Sequence, residues 1–476
     1  MVRTSVCLCT FTLLLASCSS DQKPAHEPRE ETPAEPPAVT YQRDLRAVME
    51  SHCVECHRSG GIGPLAFDRW ESVRAAAPAI VSAVTDRRMP PWPASAGCHD
   101  LVDARALPEE TVALFATWAD GDYAEGDESD YVAPEPGTRL SLGEPDVTLK
   151  AAASYTPEDF SDTYRCFYVG SLEQDTYVRA LDIVPGAASE VHHVQLHRVE
   201  ADSAASARAL DEASAEGGYP CNSSGVGLPV PSQNMFSYRP GSLTVLFNEG
   251  DAAYLKGGSG LVLQIHYNTQ FLPQGSAPEP DQTSVRIWTL PEGERPERVI
   301  YRAGVLSPLS GRGTGSLFSV LSSVIPAGAE RVIGESVVPM RNLSQLSSGL
   351  GAGGPGAGAY IPGEIVGMTP HAHGWATRMN ASLRPGGDEA CLIEVPRWNY
   401  EWQLDYMFER GVPYGPDDEL HVQCTFDNSA DNQPTVNGAV RQPQPVTFGE
   451  NTLNEMCLHY LWLRFAYADF EAALSR

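Results

Sequence analysis

Positive charge is scarce in this sequence of 476 residues. It has 33 lysines and arginines against 61 aspartates and glutamates, which gives a formal net charge of −28. An acidic surface repels the phosphates of nucleic acids, so no nucleic-acid partner is expected. The excess of carboxylates instead indicates a surface that keeps an exported protein soluble.

Long apolar runs are missing beyond the first twenty residues, where no segment reaches the ~18 apolar residues that a membrane-spanning helix requires. The first twenty residues combine Arg3, an apolar stretch that includes Phe11 to Leu15, and small residues before Cys18. This pattern predicts a secretory signal peptide over residues 1–17. It also resembles a bacterial lipobox, which implies lipid attachment to Cys18; an ordinary signal peptide with a chance cysteine is the alternative. We therefore expect an exported protein of the bacterial periplasm or cell surface, held by its lipid to the outer membrane.

Cysteine and histidine are both few, with 11 and 12 residues. Export would place the cysteines in an oxidising compartment, where disulfides persist. Three of them belong to the signal region, and two belong to a separate motif described below. The remaining six fit three bridges, although parity does not decide which cysteines pair. They are Cys98, Cys166, Cys221, Cys391, Cys424 and Cys457.

The first quarter of the chain divides by composition. Residues 18–40 are rich in Pro, Glu and Ala and predict a disordered tether. Residues 41–125 show the apolar spacing of helices and predict a small all-α domain. Residues 126–145 are acidic and form a linker. The expected helices are Arg43 to Glu50, Trp70 to Val84 and Glu109 to Trp118.

From residue 146 onward, short β-rich runs separated by Gly, Pro, Asn or Asp predict a mostly β fold of antiparallel sandwiches. The length favours two such domains, residues 146–300 and 301–470. The expected strands include Tyr177 to Val184, His192 to Val199, Leu261 to Tyr267, Ser284 to Leu290, Glu364 to Thr369 and Leu420 to Phe426.

The helical region contains the motif Cys53-Val54-Glu55-Cys56-His57. In a C-x-x-C-H motif the two thiols bind the haem vinyl groups and the histidine is the proximal iron ligand. Met89 is the candidate distal ligand, since a thioether opposite histidine suits an electron-transfer haem. A disulfide, a zinc site that also uses Cys98 and His99, and a core role for Met89 are the alternatives.

The segment resembles small bacterial class I cytochromes c over residues 41–125. The resemblance implies one covalent haem c and a role in electron transfer.

Five histidines fall in three clusters within the β region. These are His192-His193, His266, and His371 with His373. On a strand, His371 and His373 would point to one face and could bind one metal. His192 and His193 could share an ion only if the strand is irregular there, as at a β-bulge.

Imidazole suits copper or zinc, whereas a thioether favours copper. Met456 in Asn454-Glu455-Met456-Cys457 is the candidate thioether. Residue chemistry alone predicts a metal protein and leaves copper and zinc open.

The ordered series of these motifs resembles the type II copper, ascorbate-dependent monooxygenases, the family of peptidylglycine hydroxylating and dopamine beta-monooxygenases. The resemblance covers residues 155–465 approximately. It is carried by Asp162-Thr163-Tyr164-Arg165-Cys166, His192-His193, Leu263-Gln264-Ile265-His266-Tyr267, His371-Ala372-His373 and Glu455-Met456-Cys457.

The resemblance implies two copper ions on jelly-roll-like sandwiches that face a solvent-filled cleft. His192, His193 and His266 would form the all-nitrogen site. His371, His373 and Met456 would form the catalytic site, where a C–H bond of a small organic or peptide substrate is hydroxylated with dioxygen. The reductant would be ascorbate or an electron-transfer protein, and the fused haem would relay electrons.

The same resemblance implies the bridges Cys166–Cys221 and Cys424–Cys457, and leaves Cys98 and Cys391 as a less certain pair. It also has departures. Thr369 stands where the peptide-amidating member has an arginine for the substrate carboxylate, so a glycine-extended peptide is not expected. The alternative function is a copper and haem electron-transfer or copper-binding protein without oxygenase activity.

Overall fold

The computed structural model describes residues 38–476 apart from a set of short gaps. The predicted signal peptide, Cys18 and the tether as far as residue 37 lie outside the described residues. No helix in the described part is long and apolar enough to cross a membrane. The gaps are 60–62, 64, 103, 135–141, 160, 223–224, 229–231, 240–241, 243, 270–271, 273–275, 314–316, 344–359, 385–388, 437–438, 450 and 475–476.

The three helices predicted near the start of the chain are confirmed. Leu45, Phe115 and Trp118 are fully buried in a core that belongs to these helices. Glu109 and Glu110 begin the third helix, where their charge favours the positive end of the helix dipole. The elements are a π-helical turn Tyr41–Leu45, α1 Arg46–His52, α2 Trp70–Thr85 and α3 Glu109–Asp120.

The rest of the chain is mostly β, as expected. Five of the six predicted strand segments lie within strands, and the sixth, Ser284 to Leu290, exceeds its strand by one residue. Short helices also occur at α4 Ala201–Ala213, α5 Leu317–Leu321 and α6 Tyr467–Leu474. The strands of the first half are β1 Val147–Lys150, β2 Asp162–Ser171, β3 Thr176–Val184, β4 Val191–Val199, β5 Tyr219–Pro220, β6 Ser232–Tyr238, β7 Val245–Leu246, β8 Asp251–Leu255, β9 Gly260–Asn268 and β10 Ser284–Thr289. Those of the second half are β11 Arg298–Leu306, β12 Gly311–Gly313, β13 Val324–Ile325, β14 Val332–Pro339, β15 Gly363–His371, β16 Ala376–Arg384, β17 Ala390–Val395, β18 Tyr406–Tyr414, β19 Glu419–Phe426, β20 Thr435–Val436, β21 Ala439–Val440, β22 Val446–Thr447 and β23 Leu458–Ala466.

Three large sheets organise these strands. The nine-stranded sheet has the order β1-β10-β3-β8-β11-β23-β15-β18, with β7 paired to β3. The first five-stranded sheet, β5-β2-β9-β4-β6, carries the His192-His193 pair and His266. The second five-stranded sheet is β12-β14-β19-β16-β17.

Each five-stranded sheet shares an apolar core with part of the nine-stranded sheet, which is the arrangement of a β-sandwich. Leu263 of β9 and Ile287 of β10 are buried in one core. Val422 of β19 and Leu461 of β23 are buried in the other. Strands such as β19 alternate between buried and partly exposed residues because successive side chains point to opposite faces, whereas β9 is buried at every position.

The two halves of the nine-stranded sheet meet at a parallel pair, β8 with β11, which departs from the antiparallel expectation. β12 and β14 form a second parallel pair. β11 also pairs along its full length with β23. Position 300, the predicted boundary between sandwiches, therefore lies inside a strand that bonds to both halves, and the domain division stays a prediction.

Residues 90–105, here named the docking segment, join the helical region to the edge strand β18. The Val102 N–H donates a 2.8 Å hydrogen bond to the Met407 carbonyl. Leu101 forms an antiparallel bridge with Phe408. The segment therefore extends the nine-stranded sheet by a short pairing beyond β18.

A disulfide fixes the docking segment to the second five-stranded sheet. Cys98 is bonded to Cys391 of β17, with 5.3 Å between the Cα atoms. Trp92 packs against the core of the second half, and its ring lies 5.1 Å from that of Tyr406. Residues Val39–Arg476 accordingly form one compact unit.

Candidate metal centres

The first histidine cluster is built by two neighbouring strands. His193 of β4 lies directly opposite His266 of β9. The register of β4 shifts between Val191 and His193, which is the irregularity that two adjacent histidines need in order to share an ion. One nitrogen from each of His192, His193 and His266 lies within 4.8 Å of the others. The structure thus brings the predicted all-nitrogen ligands together.

Two ring nitrogens of this cluster lack a hydrogen-bond partner within the described part of the chain. They are His193 Nε2 and His266 Nδ1, and both are buried. The other nitrogen of His266, Nε2, is hydrogen-bonded to the Asp162 carboxylate. The Tyr164 ring stacks on His266 with its centroid 4.1 Å away. Buried unpaired nitrogens are costly, and a bound metal ion would satisfy them, so the residues fit a metal.

Burial keeps His192 and His193 of the first cluster uncharged. It lowers the pKa of His192 to about 3, with a smaller contribution from the charge of His266. Burial also places the pKa of His193 well below its usual value. Both imidazoles are therefore neutral at pH 7, which is the form that binds a metal ion.

The second cluster begins where β15 ends. His371 is the last residue of that strand, and His373 lies beyond it. The expectation that both sit on one regular strand is therefore wrong, although their ring centroids are 5.4 Å apart. His371 Nδ1 is hydrogen-bonded to Gln403 Oε1, and His373 Nδ1 to the Asn454 carbonyl at 2.9 Å. Each ring thus keeps Nε2 for a metal ion.

The buried carboxylate of Glu455 links Met456 to this cluster. Its Oε1 accepts the backbone N–H groups of His373 and Met456, the latter at 2.7 Å. Its Oε2 accepts the N–H of Trp375 at 3.0 Å. The Met456 side chain is buried, and the next residue, Cys457, is in a disulfide. Glu455 therefore fixes the two predicted ligand segments to each other.

The second cluster is also uncharged. Burial lowers the pKa of His373 to about 4 and places that of His371 well below its usual value. Burial raises the pKa of Glu455 to about 8, against the opposing effect of the N–H groups that it accepts.

One aromatic side chain lies between the two clusters. The Tyr400 ring is stacked 4.8 Å from the His192 ring, at an angle of 25°. Its centroid is also 5.8 Å from that of His373, at 74°. The resemblance implied a solvent-filled cleft at this place, so the position of Tyr400 is a departure from it.

Two buried guanidinium groups lie near the clusters. Arg239 and Arg302 are each 5% exposed, and Asp405 is the carboxylate that attracts both. The charge of Arg239 contributes to the lowered pKa of both His193 and His371. This excess of positive charge disfavours protonation of the histidines.

The C-x-x-C-H motif forms a turn at the end of α1. The His57 N–H donates to the Cys53 carbonyl at 2.9 Å. His57 Nδ1 lies 2.9 Å from the Leu65 carbonyl oxygen, which leaves Nε2 for an iron ion. The His57 ring also stacks on Phe67 at 4.5 Å. These contacts restrain the imidazole of His57.

Glycine is required beside this imidazole. A Cβ atom at Gly63 would lie 2.5 Å from His57 Nδ1, so only glycine allows the loop to pass there. Met89, the predicted distal ligand, lies beyond the end of α2 and is partly exposed. Its backbone N–H donates to the Ala83 carbonyl at 3.0 Å.

The two cysteines of the C-x-x-C-H motif take no part in the disulfides of the described residues. The two predicted bridges, Cys166–Cys221 and Cys424–Cys457, are confirmed. The third bridge, described above, consumes Cys98, which removes one ligand from the alternative zinc site. His99 is also engaged, because its Nε2 lies 3.1 Å from the Arg410 carbonyl oxygen. Cys53 and Cys56 are not bonded to each other, which also disfavours the disulfide alternative.

Sequence reasoning assigned no role to Tyr400, Gln403 or Glu455. The available signal was the aromatic run from Trp398 to Trp402 for the first two, and the place of Glu455 beside the candidate ligand Met456. Neither signal identifies the histidine segments that these side chains contact, because those segments are remote in sequence.

Comparison with known proteins adds little. No family model matches the chain, and no curated protein matches it significantly. Among solved structures, it is similar to the crystal structure of the major capsid protein P2 from Bacteriophage PM2. That similarity has a TM-score of 0.20 and 8% sequence identity, and covers 67% of this chain and 97% of the capsid protein. It is too distant to bear on the function.

Proposed function

We propose that this chain is a copper-dependent monooxygenase that hydroxylates a C–H bond of a small organic or peptide substrate with dioxygen. In this proposal a covalently attached haem c relays electrons to two copper ions. The protein is exported and held to the outer membrane by a lipid on Cys18. Ascorbate or an electron-transfer protein is the external reductant.

The observation that carries the proposal is the convergence of the predicted ligands into two adjacent clusters. Three imidazoles from β4 and β9 bring their nitrogens within 4.8 Å of one another. Two more imidazoles lie across Tyr400 from them, and the Met456 backbone is tied to the second cluster through Glu455. A set of five imidazoles and a buried thioether favours copper over zinc, because zinc gains little from a thioether.

Two bound copper ions would supply one electron each to the activation of dioxygen. The residues of this chain have other tasks. Asp162, Gln403 and the Asn454 carbonyl fix the ring orientation of His266, His371 and His373 respectively. Glu455 holds the segment of Met456 against that of His373. Positioned ligands of this kind keep a site in its productive geometry without rearrangement during turnover.

For the haem, the support comes from the turn that contains Cys53, Cys56 and His57. These two cysteines are unpaired although six others in the described residues form bridges. Because the Leu65 carbonyl holds His57 Nδ1, the other nitrogen is free to bind iron.

A second candidate function is a copper and haem electron-transfer protein without oxygenase activity. It is favoured by the position of the Tyr400 ring, which lies between the clusters, where a substrate would need room. Substrate-dependent uptake of oxygen separates the two functions.

The test is the copper and haem content of the mature protein, produced with the cytochrome maturation machinery, and of its Met456→Ile variant. We expect two coppers and one haem per chain, with one copper bound more weakly in the variant. A Met407→Ile variant is the matched control, since Met407 is partly buried on β18 and is not a proposed ligand.

Haem without copper, or zinc that the Met456→Ile substitution leaves unaffected, would overturn the monooxygenase proposal. Once two coppers are found, oxygen uptake is measured over a panel of organic and peptide substrates with ascorbate. Copper loading without any substrate-dependent uptake would favour the electron-transfer alternative.

A further inference from the structure

One short segment contacts both histidine clusters and, at its other end, Trp92 of the docking segment. Residues 398–406, here named the aromatic segment, connect β17 to the start of β18. The sequence is Trp-Asn-Tyr-Glu-Trp-Gln-Leu-Asp-Tyr. Its contacts with the helical region, the second cluster and the first cluster come from different residues.

The end of the aromatic segment faces the helical region. The Tyr406 ring lies edge-on to Trp92 with 5.1 Å between centroids. Trp92 follows Met89, the proposed distal haem ligand, by three residues. Arg105 is close enough to both Cys56 and Tyr406 for its charge to act on each. Met89 is therefore close in sequence to the ring that contacts this end of the segment, and Cys56 lies near Arg105, which is also near Tyr406.

The contact between Trp92 and Tyr406 is fixed by its surroundings. Tyr406 is fully buried and pairs with Met368 on β15. Trp92 and Asp405 line the same small cavity of about 80 Å³. The disulfide at Cys98 and the pairing of the docking segment with β18 hold Trp92 in place.

The middle of the aromatic segment reaches the second cluster by hydrogen bonds. Gln403 Oε1 is bonded to His371 Nδ1, and Gln403 Nε2 donates to the Tyr400 carbonyl at 2.9 Å. Asp405 accepts the hydroxyl of Thr369, which is two residues before His371. The segment is thus connected to β15 at two points.

The beginning of the segment supplies the ring that separates the clusters. Tyr400 is in ring contact with His192 on one side and His373 on the other.

We infer that the aromatic segment is the path by which electrons pass from the haem to both copper ions. Trp92 and Tyr406 form the entry, Gln403 leads to the second cluster, and Tyr400 is the crossing to the first. The inference rests on the proposed function. One electron leaves a ferrous haem and reduces one cupric ion, and no bond forms or breaks.

The two tyrosines serve as bridges for electron tunnelling and are not themselves oxidised. Loss of an electron from a tyrosine at neutral pH requires a base that takes the phenolic proton. The Tyr406 hydroxyl is buried and has no hydrogen-bond partner in the part of the chain described. Burial also raises the pKa of Tyr406, so this phenol retains its proton.

The test uses the loaded full-length protein without oxygen. A light flash and a flavin donor reduce the haem, and its absorbance reports reoxidation as the electron reaches cupric copper. Copper-depleted protein gives the baseline, in which the haem stays reduced. Copper and haem content are measured first in every variant, so a failure of the proposed function is seen separately from a failure of the path.

We expect Trp92→Leu to slow haem reoxidation by about tenfold or more, which corresponds to about 1.4 kcal/mol in the barrier, and Trp92→Phe to slow it far less. Tyr400→Leu should leave electron transfer from the haem to the copper of the second cluster intact. It should keep the three-histidine copper oxidised, with its cupric electron-spin signal retained. Tyr400→Phe should restore reduction of that copper.

Tyr238→Leu is the matched control, because Tyr238 also lies near Cys56 but is not in the aromatic segment. Ascorbate-driven turnover should be unchanged in Trp92→Leu. With full copper loading, a wild-type rate of haem reoxidation in Trp92→Leu, or normal reduction of the three-histidine copper in Tyr400→Leu, would overturn the path, as would slowing by Tyr238→Leu alone. Absence of copper or haem would overturn the proposed function and the path with it.

Discussion

Three of the proposed copper ligands have one ring nitrogen held by another group of the protein. Asp162 holds His266, Gln403 holds His371, and a backbone carbonyl holds His373. A hydrogen bond to one ring nitrogen sets the tautomer of the imidazole and orients the other nitrogen towards the metal. Metal affinity at each cluster therefore depends on these neighbours as well as on the imidazoles.

Asp162→Asn should weaken copper binding at the three-histidine cluster by roughly 10–100-fold, since the amide holds His266 less strongly than the carboxylate does. The second cluster should keep its affinity. Copper retention against a graded series of chelators, followed by electron-spin resonance, measures both sites. Asp159→Asn, an exposed neighbour, is the control, and equal loss at both clusters would contradict the assignment of Asp162 to the first.

His197 makes the stability of the fold depend on pH. Burial lowers its pKa in the folded protein to about 4, against 6.5 for an ordinary histidine. Between these two values the unfolded chain binds a proton that the folded protein does not bind. The free energy of unfolding therefore falls as the pH drops from 6.5 to 4, and His197 has no such effect above pH 6.5.

His197→Gln should remove up to about 1.4 kcal/mol per pH unit of that loss, as measured by urea unfolding at pH 7 and pH 5. Ser232→Ala is the control, because it removes the hydroxyl 3.1 Å from His197 Nδ1 but keeps the titrating ring. An unchanged pH slope in His197→Gln would show that other groups cause the acid loss.

At the scale of single elements, the docking segment connects the helical region to the β region. It pairs with β18 and carries the Cys98–Cys391 bridge. Such a bridge limits the freedom of the unfolded chain, and it also fixes one element of the helical region to the β region.

Cys391→Ser combined with Cys98→Ser should lower the free energy of unfolding by about 2–5 kcal/mol. It should also expose residues 92–106 to proteases. Denaturant unfolding and limited proteolysis measure the two effects, and the Cys166→Ser with Cys221→Ser pair is the control. If the double serine variant at Cys98 is cleaved in that segment no faster than the control, the bridge does not hold the segment.

The individual helices and strands could be predicted from local sequence patterns, whereas the pairing of the strands could not. The β-rich runs predict β4, β9 and β15 because alternation and turn residues are local signals. The parallel contact of β8 with β11 and the pairing of the docking segment with β18 depend on non-local packing. The pairing of Cys98 with Cys391 could not be assigned from the sequence for the same reason, because an even number of cysteines does not show which of them pair.

The candidate ligands could be selected from motif order, but their surroundings could not. His371 and His373 meet for a reason other than the one predicted, because β15 ends at His371. The place of Tyr400 between the clusters depends on how the loop before β18 packs. Side-chain contacts of that kind leave no periodic pattern in a sequence.

At the scale of the whole molecule, the nine-stranded sheet joins the two β halves. β11 bonds to β8 on one side and to β23 on the other. The Arg464 side chain also crosses the junction, with 3.2 Å from its Nη1 to the Asp251 carboxylate. Continuous backbone pairing of this type couples the unfolding of the two halves.

We expect the β region to unfold in a single transition, and a fragment of residues 146–300 to remain unfolded or aggregate, since β11 would be cut after Ile300 and its remaining edge would lose the pairing with β23. Calorimetry of the full chain and circular dichroism of the fragment test this. A folded, monomeric fragment would mean that the two halves are independent domains.

The Cys98–Cys391 bridge has a further consequence for biosynthesis. Its partners are 293 residues apart, and Cys53 and Cys56 are made before either of them. During synthesis, the thiols of Cys53, Cys56 and Cys98 emerge long before Cys391, the partner of Cys98, is made. If Cys53 and Cys56 receive haem, attachment has to precede their oxidation with Cys98. The timing of haem delivery relative to translation then decides what fraction of newly made chains matures correctly.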